Sequence, residues 1–445
     1  MRIVIGGSGD VGFHLAEALA DAGHSLTLID SDGDILQHVA NKIDAITLKG
    51  DISSVDLLKK ADIYRADIYI AASTSESTNL LSCILAKKMG ASKTIARISN
   101  VEYVEEEQKR NFVEVGVDHV FNPTLLAAKE IQRLIRKCSA TDIFEFEDGK
   151  LSILGYIVEE HSKFVGKPFQ ALCETKDFDT RSIALLRHGK TRIPSTEEKI
   201  MANDHVYLVS NASNLSDLDV YFGEELREIK NIMIVGSTEI ALQTALALEQ
   251  KFNVSVIVES EHKAKKFVEH LNHALVIHGD VANLDLLKEE GLGRMDAFIA
   301  LASNSETNIL TSLTAESEGV FRSISLVDNA AYTQLSQRIG VDTLINKKLI
   351  AANNIFRYVR KGQVEAVASL HGVEAEIIEF VIHTNNVLTQ KPLREIGMPR
   401  GALIAGVVRR EKGIIPDGDF QLELDDKAIV LTLPKDLEKV ENIFK

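Results

Sequence analysis

The sequence predicts an α/β protein in which two domains with a doubly wound parallel sheet are each followed by a small α+β domain. Three observations predict this fold: short apolar runs alternate with helical patterns, the chain repeats itself at a fixed spacing, and its length suits several domains. The chain has 445 residues, of which 45% are hydrophobic and 26% are charged. This is the composition of ordinary globular domains, and the length indicates about two to four of them.

The strands of each parallel sheet appear as short β-branched runs. In the first copy the predicted strands are Ile3–Ile5, Leu26–Ile29, Ala45–Leu48, Ile68–Ala71 and Thr94–Ile98. Helical patterns separate these runs, and strands that alternate with helices form a parallel sheet covered on both faces. The small domains show alternating strands broken by Gly and Pro, with one helix each, which is typical of an α+β fold.

The repeat joins the two halves of the chain. The segment IVIGGSGDVG near the N-terminus aligns with IMIVGSTEIA, 229 positions later. The same spacing aligns Gly7 with Gly236, Asp30 with Glu259, Gly50 with Gly279, Asp51 with Asp280, Asp67 with Asp296 and Asn79 with Asn308. A self-similarity this long indicates that a complete pair of domains has been duplicated.

Domain boundaries follow from the repeat. The parallel-sheet domains are predicted at residues 1–123 and 229–347, and the small domains at residues 139–223 and 363–445. A charged joint, FGEELREIK at Phe222–Lys230, separates the halves. By Gly116 and Gly340 the spacing has fallen to 224, so we expect the second copy to lack five residues before this point.

The loop after the first strand has the glycine spacing of a Rossmann-type dinucleotide site. It reads G-x-G-x-x-G, follows a strand and opens an amphipathic helix, which is the context that such a loop requires. The first glycine allows the turn, the second lets a pyrophosphate approach, and the third lets helix and strand pack closely. The helix N-terminus then faces the phosphates. The candidate nucleotide-binding residues of the loop are Gly7, Ser8, Gly9, Asp10, Val11 and Gly12. The alternative is a fold kept only as a scaffold.

Polar residues follow the later strands of the first copy. Asp30 ends the second strand, where a carboxylate accepts hydrogen bonds from both ribose hydroxyls. A 2′-phosphate would meet Asp30 and Asp32 with no arginine nearby, so we expect NAD(H) rather than NADP(H). Asp51 is placed to meet the adenine, while Ser73 and Thr74 lie along the crevice.

The second copy keeps the pattern of the fold but loses two of the three loop glycines. Its loop reads GSTEIA, in which Glu239 adds negative charge beside the phosphate position. Arg97, the cation that could partner a phosphate in the first copy, aligns with Leu326. The weaker second candidate site consists of Gly236, Ile240, Glu259 and Asp280. A degenerate scaffold and an adenosine-type site are the two interpretations, and the lost glycines favour the scaffold.

No pattern of catalytic or metal-binding residues accompanies these loops. The histidines of the small domains share no register: they are His161, His188, His205, His371 and His383. Metal-binding spacings such as HxxxH and CxxC are absent, as is the phosphoryl-transfer loop G-x-x-x-x-G-K-[ST]. The sequence therefore predicts no catalytic residue and no metal site.

Charge and hydropathy exclude two classes of partner. The net charge of −15 at pH 7 repels phosphate backbones, and no basic stripe offsets it. No apolar run approaches the roughly 18–20 residues that cross a bilayer. We expect a cytoplasmic protein that binds no nucleic acid and reaches a membrane only through a partner.

These features together resemble one family. The glycine loop with Asp30, the Gly-Asp pair after the third strand, the stretch ASTSESTN that ends at Asn79, and IARI around Arg97 occur in tandem with small α+β domains. Over essentially its whole length the chain resembles the peripheral NAD-binding subunits of Trk-type bacterial potassium uptake systems. Those subunits contain two units called RCK, for regulator of potassium conductance.

The resemblance implies a nucleotide-sensing regulator rather than an enzyme. Members bind NAD(H), and several bind ATP or ADP. They form oligomeric rings, commonly homotetramers, beneath a membrane-embedded potassium-translocating subunit of the TrkH/TrkG type. The positions that match the family's nucleotide site are Gly7 to Val11, Asp30, Asp51, Ser73, Thr74 and Arg97. Ser99 stands where close relatives carry a second arginine, which weakens the expectation of a triphosphate ligand. A nicotinamide-dependent oxidoreductase and a regulator of another cation channel or exchanger are the alternatives.

Overall fold

The chain forms two parallel and two antiparallel sheets. The computed structural model describes residues 1–21, 23–136, 142–147, 149–172, 180–211, 229–329, 332, 341, 343–359, 364–369 and 375–444. Within these ranges the two parallel sheets have six strands each and the two antiparallel sheets have five each. The predicted fold class is confirmed. In the same ranges no helix is both long enough and apolar enough to cross a bilayer.

The first parallel sheet has the strand order β3-β2-β1-β4-β5-β6. Its strands are β1 (Arg2–Gly6), β2 (Ser25–Asp30), β3 (Ala45–Lys49), β4 (Ile68–Ala71), β5 (Lys93–Arg97) and β6 (His119–Phe121). Its helices are α1 (Asp10–Asp21), α2 (Gly33–Lys42), α3 (Val55–Lys60), α4 (Glu76–Lys88), α5 (Glu106–Val115) and α6 (Pro123–Arg136). The five predicted strands agree with the structure to within one residue at each end. The sixth strand was not predicted, because three residues are too few to show a pattern.

The first small domain is an antiparallel sheet with the order β10-β9-β11-β8-β7. Its strands are β7 (Asp142–Phe146), β8 (Leu151–Ile157), β9 (Thr180–Arg187), β10 (Lys190–Arg192) and β11 (His205–Asn211). A 3-10 turn at Phe169–Leu172 is the helical element that the structure describes between these strands. The joint predicted at Phe222–Lys230 lies outside the described residues up to residue 228.

The second half repeats both sheets. The parallel sheet has the order β14-β13-β12-β15-β16-β17. Its strands are β12 (Asn231–Val235), β13 (Asn253–Val258), β14 (Leu275–His278), β15 (Ala297–Ala300), β16 (Arg322–Leu326) and β17 (Thr343–Ile345). Its helices are α7 (Glu239–Leu248), α8 (Glu261–His270), α9 (Leu284–Glu289), α10 (Ser305–Ser317) and α11 (Lys347–Val359). The predicted five-residue loss falls at residues 330–340, which are almost all outside the described part of the chain.

The second small sheet has the order β18-β19-β22-β20-β21. Its strands are connected in the same way as those of the first small sheet, whose order is written above from the opposite edge. Its strands are β18 (Val364–Ser369), β19 (Glu376–Val381), β20 (Ala402–Arg409), β21 (Lys412–Ile414) and β22 (Lys427–Thr432), and its helices are α12 (Val387–Gln390) and α13 (Leu437–Ile443). The prediction of one helix per small domain is wrong here. The C-terminal residues form a second helix because Val440 and Phe444 bury their side chains in the core of this domain.

Each parallel-sheet domain is completed by a helix from the other half of the chain. Helix α6 follows the first sheet, but its apolar side chains pack in the core of the second sheet; they are Ala127, Ile131, Leu134 and Ile135. Helix α11 follows the second sheet, and Ala351, Ala352 and Ile355 pack in the core of the first sheet beside Leu15 of α1. The two halves therefore share their cores and do not stand as independent bodies.

The small domains also share one core. Phe144, Ile153 and Tyr207 of the first pack with Ile377 and Leu431 of the second in a single buried cluster. Two ion pairs cross the same interface. Lys427 Nζ lies 2.8 Å from Glu147 Oε1, and Lys150 pairs with Glu411. The interface is thus apolar at its centre and charged at its rim.

The exchange of α6 is testable through Ile131, which is fully buried in the core of the other half. We expect Ile131→Ala to lower the free energy of unfolding by about 2–5 kcal/mol, because it leaves a cavity in a packed core. Lys129→Ala, on the exposed side of the same helix, should change it by less than about 0.5 kcal/mol. Urea unfolding of both variants makes the comparison, and equal effects would contradict the exchange.

Candidate nucleotide site

The predicted site residues of the first half lie at one edge of the first sheet. In a parallel sheet the carboxyl ends of all strands meet at the same edge, and a crevice opens where the strand order reverses. Here the reversal lies between β1 and β4. Asp30 and Arg97 end β2 and β5, while Gly7 to Gly12, Asp51, and Ser73 with Thr74 follow β1, β3 and β4. The structure therefore brings the first set of predicted residues to one crevice.

The three glycines of the first loop differ in whether the fold has room for a side chain at their position. Gly7 has φ of +94°, and a Cβ there would lie 2.5 Å from Ser73 N. A Cβ on Gly12 would lie 1.8 Å from Gly7 O, so no side chain fits without moving the loop. A Cβ on Gly9 would meet no atom within 4 Å. The fold requires glycine at the first and third positions, whereas at Gly9 the missing side chain leaves open space outside the protein.

Ser8 gives a second indication of a ligand at this loop. Its residue is only 1% exposed, and its hydroxyl has no hydrogen-bond partner among the described residues. Buried hydroxyl groups are nearly always hydrogen-bonded. Because the Ser8 Oγ is itself buried, it has to turn toward the crevice to donate a hydrogen bond to a ligand oxygen such as that of a phosphate.

Asp30 is held in place by two backbone amides. Ser8 N donates to Asp30 Oδ2 (2.5 Å), and Asp32 N donates to Asp30 Oδ1 (2.9 Å). A carboxylate has roughly four acceptor positions, so two remain for further donors such as ribose hydroxyls. Asp32 is differently engaged, because its side chain caps α2 by accepting from Asp34 N and Ile35 N.

Asp51 lies exposed after β3 and is fixed by its own turn. Its Oδ1 accepts from the backbone N and the hydroxyl of Ser53, both at 2.8 Å. These hydrogen bonds hold the pKa of Asp51 below its usual value. The carboxylate is therefore ionised near neutral pH and available as an acceptor at the rim of the crevice.

Asn79 connects the loops after β4 and β5. Its Oδ1 accepts from Ser73 N (3.0 Å), and its Nδ2 donates to Ser73 O and Arg97 O (both 2.9 Å). The guanidinium of Arg97 reaches back to Ala72 O (3.4 Å) and so lies beside the crevice. Thr74 is exposed at the same edge. Because Asn79 already engages Ser73, we assign Ser73 to the shape of the loop as much as to a ligand.

The second crevice is closed by its own side chains. Thr238 stands in place of Gly9, and its hydroxyl donates to Leu301 O (2.8 Å) and accepts from Ala241 N (3.3 Å). The N-terminus of α7 is thus capped from within the chain. Ala241 takes the position of Gly12. A diphosphate would have to displace Thr238 to reach the helix N-terminus.

The second crevice keeps a carboxylate at the start of its helix, because Glu239 aligns with Asp10 of the first loop. Burial raises the pKa of Glu239, but hydrogen bonds from Gln243 and Lys266 outweigh burial and hold it below its usual value. The carboxylate is therefore ionised and forms an ion pair with Lys266 (2.9 Å). Among the other residues of the second candidate site, Glu259 lies near the Ser237 hydroxyl (3.5 Å), and Asp280 accepts from Ala282 N (2.9 Å). Gly236 has φ of +134° and Ile240 is buried in the core.

Outside these crevices the described side chains offer no metal centre. Within the described ranges no three His, Cys, Asp or Glu side chains group as metal ligands would. His371, one of the small-domain histidines of the sequence analysis, lies outside the described residues. His205 is buried against Tyr207, with ring centroids 4.5 Å apart.

Family models match most of the two halves. The TrkA-N domain model matches residues 3–123 and again residues 232–347, and the TrkA-C domain model matches residues 377–445. The chain belongs to the TrkA family. The Trk system potassium uptake protein TrkA homolog 1 of Methanosarcina mazei is 30% identical over the full length of both chains. TrkA of Vibrio alginolyticus is 30% identical over 100% of this chain and 99% of its own.

Solved structures agree with this fold. The crystal structure of the GsuK RCK domain has a TM-score of 0.63 at 17% identity, covering 100% of this chain and 94% of that chain. A structure of the GsuK channel bound to NAD also has a TM-score of 0.63 at 17% identity, covering 100% of this chain and 78% of that one. The TrkA relatives bear the names of potassium uptake proteins, which confirms the prediction that the chain is not an enzyme.

Sequence reasoning missed residues that hold the site together. The sequence singled out Asn79 as the end of the stretch ASTSESTN and as the match of Asn308, but not for its hydrogen bonds. Asn308 makes the same bonds to Ala302 and Leu326. Glu76 was also missed, although its Oε2 accepts from Ser99 N and Asn100 N (both 2.9 Å). The signal for Asn79 was present in the repeat, because two copies with different ligand loops kept the same amide.

A side chain has room at Gly9 but not at Gly12, so alanine substitutions at the two positions form a matched pair of variants. We expect Gly9→Ala to change the free energy of unfolding of the ligand-free chain by less than about 1 kcal/mol, since its Cβ meets open space. Gly12→Ala should destabilise the chain by about 1–3 kcal/mol, because its Cβ collides with Gly7 O. Urea unfolding without nucleotide measures both. Similar losses in the two variants would show that the loop is not shaped as described.

Proposed function

We propose that the chain is a nucleotide-sensing regulatory subunit of a potassium uptake system and binds NAD(H) in the first crevice. The observation that carries the proposal is the open space at Gly9, beside an unsatisfied Ser8 hydroxyl and a carboxylate, Asp30, with acceptor positions to spare. The same fold in the second half has filled that space with Thr238. The contrast supports a ligand that enters one crevice and not the other.

Each residue then has a role. The loop from Gly7 to Gly12 faces the pyrophosphate, with Asp10 and Val11 opening the helix. Asp30 accepts from the ribose hydroxyls, and Asp51 lies toward the adenine. Ser73, Thr74 and Arg97 line the remainder of the crevice. In the second crevice Gly236, Ile240, Glu259 and Asp280 keep the fold without an open phosphate position.

The choice of nucleotide follows from charge and from the solved neighbours. A 2′-phosphate beside Asp30 and the capping carboxylate of Asp32 would bring like charges together, which favours NAD(H) over NADP(H). GsuK has been solved with NAD and, at a TM-score of 0.51 with 14% identity, with ADP. We extend NAD(H) to this chain as the first ligand, with ADP or ATP as competitors for the same crevice.

Regulation requires a partner and two arrangements. The TrkA relatives are named for potassium uptake, so the partner we propose is a membrane-embedded potassium-translocating subunit of the TrkH/TrkG type, with this chain at its cytoplasmic face. A nucleotide changes transport only if it binds one arrangement of the regulator more tightly than another. Typical couplings of this kind are about 1–3 kcal/mol.

Self-association is supported by apolar residues exposed at matching positions in both halves. The three pairs, each 229 positions apart and 37–64% exposed, are Ile46 with Leu275, Val55 with Leu284, and Leu81 with Leu310. Ile46 and Leu275 lie on the edge strands β3 and β14, and the other four lie on helices that cover one face of the sheet in each half. Single exposed apolar residues are ordinary, but a repeated set gives the chain two equivalent contact surfaces. We propose that a second copy of the chain covers them in a homo-oligomer, as in a tetrameric ring.

The nucleotide assignment predicts that Asp30→Ala loses its response to NADH. At a hundredfold excess over the dissociation constant, NADH should add about 2.7 kcal/mol to the stability of the wild type. Removal of Asp30 takes away the ribose acceptor, so most of this stabilisation should disappear. The matched control is Glu259→Ala, the aligned residue of the second half, which should keep the full response. Thermal unfolding with NAD, NADH, NADP, ADP and ATP makes the measurement.

The same panel can contradict the assignment. An unchanged NADH response in Asp30→Ala would show that NADH does not bind in the first crevice as assigned. A larger loss in Glu259→Ala than in Asp30→Ala would place binding in the second crevice. Stronger stabilisation by NADP than by NAD would contradict the argument from like charges.

The self-association proposal predicts that the double variant Leu81→Glu with Leu310→Glu forms smaller assemblies. Burying a carboxylate in an apolar contact without a partner is strongly unfavourable, so the variant should dissociate while keeping its fold. Val268→Glu is the control, because Val268 is equally exposed but aligns with the buried Val39. Light scattering after size exclusion gives the mass. A double variant with the wild-type mass would contradict these surfaces as the contact.

A further inference from the structure

The loop after β5 is tied to helix α6 by a single buried side chain. Asn122 is 3% exposed, and its Nδ2 donates to Ser99 O (2.9 Å). Its Oδ1 accepts from Thr124 N (2.9 Å) and Leu125 N (3.2 Å), which caps α6. One amide therefore serves both as the N-cap of the helix and as the link to the crevice.

The other end of this link is Arg97, the cation of the candidate nucleotide site. Its carbonyl is held by Asn79, which also binds Ser73 in the loop after the neighbouring strand β4. Two residues later, Ser99 is fixed by Glu76 through its amide and by Asn122 through its carbonyl. A displacement of Arg97 toward a phosphate would therefore move a loop that is bonded directly to the start of α6.

Although Leu126 of helix α6 packs against the core of its own half, most of the buried apolar side chains of this helix lie in the core of the other half. Ile131 and Leu134 lie in the same buried cluster as Ile240 and Ala241, the first turn of α7 in the second parallel-sheet domain. Gln132 Nε2 also donates to Ala247 O of α7 (2.6 Å). Helix α6 therefore connects the link to α7, the helix whose N-terminus lines the closed second crevice.

The second half contains the same link in the reverse direction. Asn346 Nδ2 donates to Asp328 O (3.1 Å), and its Oδ1 caps α11 by accepting from Lys348 N and Leu349 N. Helix α11 packs against α1, the helix that opens at the first glycine loop. Asn122 and Asn346 therefore form a matched pair of capping residues. Asn122 bonds a loop beside the open crevice, and Asn346 bonds the corresponding loop beside the closed crevice.

We propose that Asn122 is a positioning residue that transmits nucleotide binding in the first crevice through α6 to α7 of the second parallel-sheet domain. This inference rests on the proposed nucleotide site. The second crevice then needs no ligand of its own, because α7 is affected through the buried side chains that it shares with α6. The exchange of helices makes the transmission intramolecular, so it acts within one chain before any contact with another copy.

The test separates the cap from the link. Ser is about as good an N-cap as Asn, but its side chain is too short to reach Ser99 O as well. Asn122→Ser therefore keeps α6 capped and removes the link. Asn122→Asp is a second variant of the same kind, because a carboxylate caps the helix but cannot donate to a carbonyl. Asn346→Ser makes the identical change in the second half and is the control.

The measurement is hydrogen exchange of the α7 amides, residues 239–248, in the full chain with and without NADH, with NADH affinity taken from calorimetry. In the wild type, NADH should slow α7 exchange by about fivefold or more, the lower end of typical coupling between sites. Asn122→Ser and Asn122→Asp should bind NADH with an affinity within about threefold of wild type and lose this protection. Asn346→Ser should keep it.

The contrary outcomes are distinct. If the wild type binds NADH without protecting α7, or if Asn122→Ser keeps the protection, the inference is overturned while the proposed nucleotide site stands. Equal loss of protection in Asn122→Ser and Asn346→Ser would show a general structural role of the caps and also overturn it. If calorimetry detects no NADH binding to the wild type, the proposed function fails and this inference fails with it.

Discussion

The exchange of α6 and α11 is the constraint on which the rest of the structure depends. Each helix leaves the sheet that precedes it and buries its apolar side chains in the core of the other half. Hydrophobic burial of this kind is the main stabilising term in a fold. Because the cores are shared, the helix that follows each sheet is in contact with the other half of the chain. The two halves therefore form one body with shared cores, and each half has a crevice of the Rossmann type.

Within that body, the two crevices differ in the loop that follows the first strand of each sheet. The strand order, the first glycine and the acid after the second strand are the same in both halves. The difference lies at Gly9 and Thr238, where the first half leaves open space and the second caps its own helix. A side chain with a hydroxyl group supplies the acceptor that a phosphate would otherwise give. The second crevice has this internal cap, whereas the first keeps an unsatisfied Ser8 hydroxyl.

Much of this could be predicted from the sequence, because local patterns determine local structure. The glycine loop, Asp30 and five strands of the first sheet were placed correctly. The short strand β6 was not, since three residues carry no periodicity. The exchange of α6 also could not be predicted, because an apolar stripe shows that a helix is buried but not against which domain. Asn122 gave no signal beyond its match with Asn346, since its role depends on a carbonyl that only the fold brings near.

The central claim is that one of the two crevices, the one with Gly9, binds NAD(H). The most direct measurement is the stoichiometry of NADH binding to the intact chain by calorimetry. The open first loop and the Thr238 cap of the second predict one NADH per chain. Two equivalent sites per chain would contradict the closed second crevice. The absence of binding would contradict the interpretation of the first crevice and, with it, the proposed nucleotide-sensing function.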